Sequence, residues 1–251
     1  MVSDVVLDVR ALTEDKDGRV IQAVLARSLE PLQPGYRRDA VRFSPATPAA
    51  AEAARANLWK ARATEGSAGQ RKALTTVVRE VINFLLQPGP LCVVFWHVDA
   101  DKPWSARAQS ENAARFAKDV LENVRLGLEN EARRRVDLNS EALLSRIILV
   151  LPCAAIESWL YLNHDVLRDH AAKEGLQSEV EGLIQRCGAH GFDEVAGVKR
   201  CSKVQDHANL TLAQRFKPEH ARLRSPSYRE FLDGLIAHSE LNAVMAQATY
   251  R

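Results

Sequence analysis

The run Leu91-Cys-Val-Val-Phe-Trp-His-Val98, closed by Asp99-Ala-Asp101, constrains the fold of this chain more than any other stretch. It is almost continuously apolar and rich in β-branched and aromatic residues. A strand buried on both faces of a parallel sheet reads this way. Side chains alternate with period two, so Asp99 and Asp101 point the same way if the extended geometry persists past Val98. Two carboxylates held that close repel unless a cation lies between them, and a hard ion such as Mg²⁺ suits oxygen donors. A metal-dependent site is therefore the leading expectation.

The rest of the chain alternates strand-like and helical spacing. Residues 4–12 alternate as a first strand, and Gly18 to Leu29 carries apolar residues at helical intervals until Pro31, Pro34 and Gly35 stop it. Residues 36–43 read as a short second strand. Ala49 to Ala63 and Arg71 to Leu86 read as helices, separated by a loop at Gly66 to Gly69. Ser110 is a fitting N-cap for a helix running to about Arg135. Arg146 to Leu151 forms another buried strand, and a helix starts near Ala154 or Ala155. Helices are then expected at 164–173, 178–187, 206–216 and 226–248. Strands alternating with helices predict an α/β fold with a mainly parallel sheet flanked by helices. We place an α/β domain at residues 1–163, with a helical insert at about 46–88. A helical region follows at 164–251, either an outer layer or a small lobe.

Composition excludes several alternatives. No apolar segment approaches the roughly 18 uninterrupted residues of a membrane helix. The start lacks the basic and apolar regions of a secretory signal. Cys92, Cys153, Cys187 and Cys201 show no CxxC spacing, so inert reduced thiols in a cytoplasmic setting are expected. The net charge of +2 says little about partners. Its distribution says more, because from Lys199 to Arg229 eight Lys or Arg stand against Asp206 and Glu219 alone. Arg133-Arg134-Arg135 closes a helix, where basic residues also complement the macrodipole.

In an open parallel sheet, ligands collect beyond the carboxyl ends of the strands. Three such ends here carry acids. The first delivers Glu14, Asp15 and Asp17; the next delivers Asp99 and Asp101; the last opens a helix whose first turn presents Glu157.

These segments resemble the TOPRIM fold of topoisomerases, bacterial primases and OLD-family nucleases, in which a glutamate follows the first strand and Asp-x-Asp a later one. More narrowly, the chain resembles compact TOPRIM-related proteins of bacterial defence and mobile-element loci, among them the RloB-like group. Pro152-Cys-Ala-Ala-Ile-Glu157-Ser-Trp159-Leu160 is similar to their Pro-x-x-x-Ile-Glu-Ala/Ser-Trp-Leu segment, and Ser225-Pro-Ser-Tyr228-Arg229-Glu-Phe231 to their closing helix. The family pattern has glycine directly after the first glutamate. Asp15 stands there instead, so the first acid is Glu14, Asp8 or Asp17.

The resemblance implies a Mg²⁺- or Mn²⁺-dependent nuclease, or a related phosphoryl-transfer enzyme, acting on DNA or RNA in anti-phage defence. Its metal ligands would be Glu14, Asp99, Asp101 and Glu157, with Lys102 placing an ammonium beside the phosphate. It further implies an ABC-type ATPase as a partner, since the chain has no P-loop of its own. His97 shares the parity of Asp99 and Asp101 and is a candidate supporting residue. Plainer readings stand beside each of these. Asp is a common turn former, Glu14 and Glu157 favour helix N-termini, and Trp159 and Leu160 suit a core. The other histidines show no ligand spacing. A non-catalytic partner or regulatory subunit built on the same scaffold is the main alternative, and a small-phosphate hydrolase a weaker one.

Overall fold

The computed structural model describes residues 5–14, 18–56, 68–195, 198 and 202–248, with side chains of the helix from Ser202 described from Ala208 onward. Asp15, Asp17, Lys199, Arg200, Cys201, the side chains of Lys203 and Asp206, and the expected helix beyond Ala56 lie outside the described residues.

The chain begins β1 (Leu7–Thr13), α1 (Gly18–Leu29), β2 (Val41–Phe43), α2 (Pro48–Ala56), α3 (Ala68–Leu85) and β3 (Leu91–His97). It continues α4 (Glu111–Arg115), a wide π turn (Phe116–Leu121), α5 (Glu122–Ala132), α6 (Ser140–Ser145) and β4 (Ile147–Val150). Helices α7 (Glu157–Leu160), α8 (His164–Glu174), α9 (Gln177–Gln185), α10 (Ser202–Gln214), α11 (Pro218–Arg224), α12 (Pro226–Ala237) and α13 (Ser239–Met245) follow. The result is an α/β fold with a four-stranded sheet in the order β2-β1-β3-β4. Every pairing is parallel.

Period-two alternation divides the sheet's side chains between two cores. Leu7, Val9, Val93, Phe95 and Val150 face one layer, built from α1 and the helices from α7 onward. Leu12, Cys92, Val94, Trp96 and Ile147 face the other, built from α2, α3 and the α4–α5 segment. Trp96 and Phe95 are fully buried on opposite faces. Each large apolar side chain buried in this way contributes about 1.5–3 kcal/mol. The helices beyond residue 164 share one core with the sheet, so they form its outer layer on that side.

Three departures from the expected elements have physical causes. The helix launched by Ser110 contains the π turn because its buried residues Phe116, Val120, Val124 and Leu128 recur every four positions. A four-residue repeat drifts around a 3.6-residue helix, and a wider turn realigns it with the sheet. The expected helix 226–248 divides at His238, whose backbone is extended (ψ 97°) and whose ring accepts the Leu241 N–H. Two short helices, α6 and α11, are not legible in the apolar spacing; Asn139 caps the first and Pro218 opens the second.

Candidate functional site

Register brings the first pair of strand ends together. Thr13 closes β1 directly beside His97, which closes β3. Their side chains meet, with Thr13 Oγ1 2.8 Å from His97 Nδ1. On its other side, His97 Nε2 lies 3.3 Å from Asp99 Oδ1. Both His97 and Asp99 are buried. His97 and Asp99 thus share a direction, as strand parity requires.

Glu14 follows Thr13, and its Oε1 accepts the Asp99 backbone N–H at 2.6 Å. This ties the exit of β1 to the exit of β3. Asp8, an alternative for the first acid, lies within β1 instead of at its carboxyl end. It is buried there against Arg42 of β2, with Arg42 Nε donating at 2.9 Å.

Asp101 departs from the period-two expectation. The backbone ladder continues to Ala100, whose N–H donates to Pro152 C=O at 2.9 Å. Asp101 then turns into the left-handed region, φ 52°. Its side chain is consequently exposed, whereas that of Asp99 is buried. Asn112, near the start of α4, joins the two: its Nδ2 donates to Asp99 C=O at 2.8 Å and to Asp101 Oδ2 at 3.0 Å. Ser110 holds that helix start by accepting the Ala113 N–H, as an N-cap does.

The exit of β4 mirrors that of β3. Ala154 has φ 57°, and its N–H donates to Lys102 C=O at 2.9 Å. Asparagine and aspartate visit this region at modest cost, alanine less readily. Two adjacent left-handed turns are therefore bonded to one another on the carboxyl rim of the sheet. Lys102 sits between them, half-buried.

Glu157 opens α7 and is buried. Asn209 of α10 donates to its Oε1 at 2.9 Å. Glu14, Asp99 and Asp101 are thus linked through hydrogen bonds, while Glu157 is engaged by a separate partner. Among the described residues, no group of three or more His, Cys, Asp or Glu side chains is placed to hold a metal ion. Asn112 and Asn209 are site residues that the sequence reading missed. Asn112 lies two positions after a recognisable N-cap, whereas nothing local marks Asn209.

Behind the rim, Trp159 and the Ser225 segment pack as one unit. Trp159 stacks on Phe231 at 5.4 Å and meets Tyr228 edge-on at 5.1 Å. Its Nε1 donates to Ser227 Oγ at 2.7 Å. Buried Asp193 accepts from Ser225 Oγ, Ser227 N–H and Ser227 Oγ at 2.8–3.0 Å. Burial raises the Asp193 carboxyl above its ordinary value, against the lowering effect of these donors. Asp193 C=O accepts the Trp104 N–H at 2.9 Å, so this network anchors the loop that follows Asp101. Burial, reinforced by Asp193, pushes the Cys153 thiol up to about 12, in keeping with an inert thiol.

The basic stretch 199–229 is partly consumed by local pairing. Arg215 lies 3.6 Å from Asp169, and Arg222 lies 2.8 Å from Asp233. No helix among the described residues is long and apolar enough to cross a membrane. No protein-family model, curated protein or solved structure matches this chain.

Proposed function

We propose that the carboxyl rim of the sheet is a phosphoryl-transfer site, and that the protein is a Mg²⁺- or Mn²⁺-dependent nuclease with a TOPRIM-like fold. The observation that supports this best is the paired left-handed exit of β3 and β4, Asp101 at φ 52° and Ala154 at φ 57°. Sparsely populated backbone costs on the order of 1–3 kcal/mol per residue and clusters where geometry serves a site. Here it turns Asp101 out to solvent beside Asp99, at the place where open parallel sheets gather ligands.

The donor chemistry fits a hard cation, since Glu14, Asp99, Asp101 and Glu157 offer carboxylate oxygens alone. Asp99 and Asp101 are the core ligands in this reading; Glu14 and Glu157 would join them only by turning from the Asp99 N–H and from Asn209. A divalent ion would screen the repulsion between these acids and a phosphodiester, and would polarise the phosphoryl oxygen. Asn112 orients Asp101, while His97 orients Asp99. Lys102 supplies positive charge for the phosphate. DNA or RNA is the proposed substrate, bacterial anti-phage defence the setting, and an ABC-type ATPase the proposed partner.

A second reading is a non-catalytic partner or regulatory subunit. The commitment of Glu14 Oε1 to the Asp99 N–H, and of Glu157 Oε1 to Asn209, favours it. Incubating plasmid DNA and single-stranded RNA with the protein and Mg²⁺ or Mn²⁺ separates the two. A nuclease cleaves one of them, and loses cleavage in Asp99→Ala and Asp101→Ala proteins that remain folded. A subunit leaves both intact with either ion.

A further inference from the structure

Thr13, His97 and Asp99 line up along the rim of the sheet, and the first of them stands outside the proposed ligand set. On β3 the alternate side chains Val93 and Phe95 enter one apolar layer. His97 follows them on that face at the end of the strand, fully buried. Thr13 is its register partner on β1 and is buried as well.

A buried imidazole has two ring nitrogens to satisfy. Nδ1 lies 2.8 Å from Thr13 Oγ1, and Nε2 lies 3.3 Å from Asp99 Oδ1. An ionised carboxylate only accepts, so the nitrogen that faces it carries the proton. The neutral ring then has a lone pair at Nδ1, and the threonine hydroxyl donates to it. The opposite tautomer would set the Nε2 lone pair against the carboxylate. The two contacts are unequal in length. The first is an ordinary hydrogen bond, while the second is slightly longer than the usual range of about 2.7–3.2 Å. Closing it depends on how the ring is turned, and the bond to Thr13 fixes that rotation.

We propose that Thr13 is a positioning residue for the metal site. By donating to His97 Nδ1 it locks the ring with Nε2–H aimed at Asp99 Oδ1, and so sets the orientation in which Asp99 meets the cation. This role rests on the phosphoryl-transfer reading and adds a residue to it. The exit of β1 then acts on Asp99 twice, through the Thr13 hydroxyl on its side chain and through Glu14 Oε1 on its backbone N–H. The competing role for Thr13 is packing, since its Cγ2 lies 3.7 Å from where a Cβ on Gly18 would stand. The two roles use different halves of the side chain. Valine keeps the branched shape and removes the hydroxyl, whereas serine keeps the hydroxyl and removes the methyl group.

The test compares full-length wild type, Thr13→Val and Thr13→Ser. Nitrogen NMR of the His97 ring is recorded without metal, and Mn²⁺ uptake is followed by isothermal calorimetry. Wild type should show Nε2 protonated and Nδ1 bare. Thr13→Val should shift the Nδ1 resonance and lower Mn²⁺ affinity at least about tenfold, the scale for losing an outer partner of a ligand. Thr13→Ser should keep both wild-type readings. In a His97→Gln background the valine substitution should have no further effect, because its action passes through the ring. Should Thr13→Val not fold, Thr13→Ala compared with Thr13→Ser isolates the hydroxyl in the same way. A proton on Nδ1, or serine losing as much affinity as valine, overturns the proposal. Uptake by wild type that valine leaves unchanged overturns the positioning role alone, whereas no uptake by wild type overturns the phosphoryl-transfer reading and this role with it.

Discussion

Glu14 Oε1 accepts the backbone N–H of Asp99 at 2.6 Å, so the acid after β1 is tied to the main chain at the acid after β3. The bond separates two roles of Glu14. Glutamine retains a carbonyl oxygen that can accept the same N–H, whereas alanine cannot. Glu14→Gln is expected to keep wild-type stability while weakening Mn²⁺ binding at least tenfold. Glu14→Ala is expected to lose about 1.5–3 kcal/mol as well, the scale of a hydrogen bond to a charged group. Urea denaturation and Mn²⁺ titration of both variants check this; equal stability losses would show that the bond contributes nothing.

Asn112 holds Asp99 C=O and Asp101 Oδ2 with one amide group. Outer residues that orient ligands typically alter metal affinity 10–100-fold when removed. Asn112→Ala is expected to lower Mn²⁺ affinity in that range, with a stability loss of about 1 kcal/mol. Unchanged affinity by electron paramagnetic resonance would remove Asn112 from the site.

Ala154 tests the strained exit of β4. Its φ of 57° suits glycine and opposes a β-branched side chain. Ala154→Gly should leave stability unchanged or raise it by up to about 1 kcal/mol, as relief of strain offsets the larger entropy of the unfolded chain. Ala154→Val should cost at least about 2 kcal/mol. Thermal melts of the three proteins give the order directly, and a glycine variant less stable than valine would contradict the backbone assignment.

Asp193 gives a pH dependence whose sign is fixed. Burial raises its carboxyl above the ordinary value of 3.8. The folded protein therefore holds this proton more tightly than the unfolded chain does. The associated stabilisation is complete below pH 3.8 and is lost as pH rises through the raised folded value. Asp193→Asn lacks this titration. The stability of wild type relative to Asp193→Asn should fall as pH increases from about 4, measured by urea unfolding across a pH series. A rise over that interval would mean that the serine hydrogen bonds outweigh burial.

The parts legible in sequence are those with local causes. Leu91 to Val98 announces a buried parallel strand, and Ser110 announces its cap, because apolar runs and capping side chains act over a few residues. Strand parity alone places His97 with Asp99, and the 3.3 Å contact agrees. Parity misdirects Asp101 because it holds only while the chain stays extended, and the turn at φ 52° breaks it. The Trp159–Ser227–Asp193 network joins residues 34 and 68 positions apart, and no local pattern encodes such pairing. The same holds for Asn209 on Glu157, which depends on how α10 docks against α7.

Mn²⁺ uptake by wild type, Asp99→Asn and Asp101→Asn, followed by isothermal calorimetry on the folded full chain, tests the proposed site most directly. Wild type should bind at least one ion, with affinity falling at least tenfold in each variant. No uptake by wild type, or uptake indifferent to both substitutions, would contradict a metal-dependent site at the carboxyl rim of the sheet.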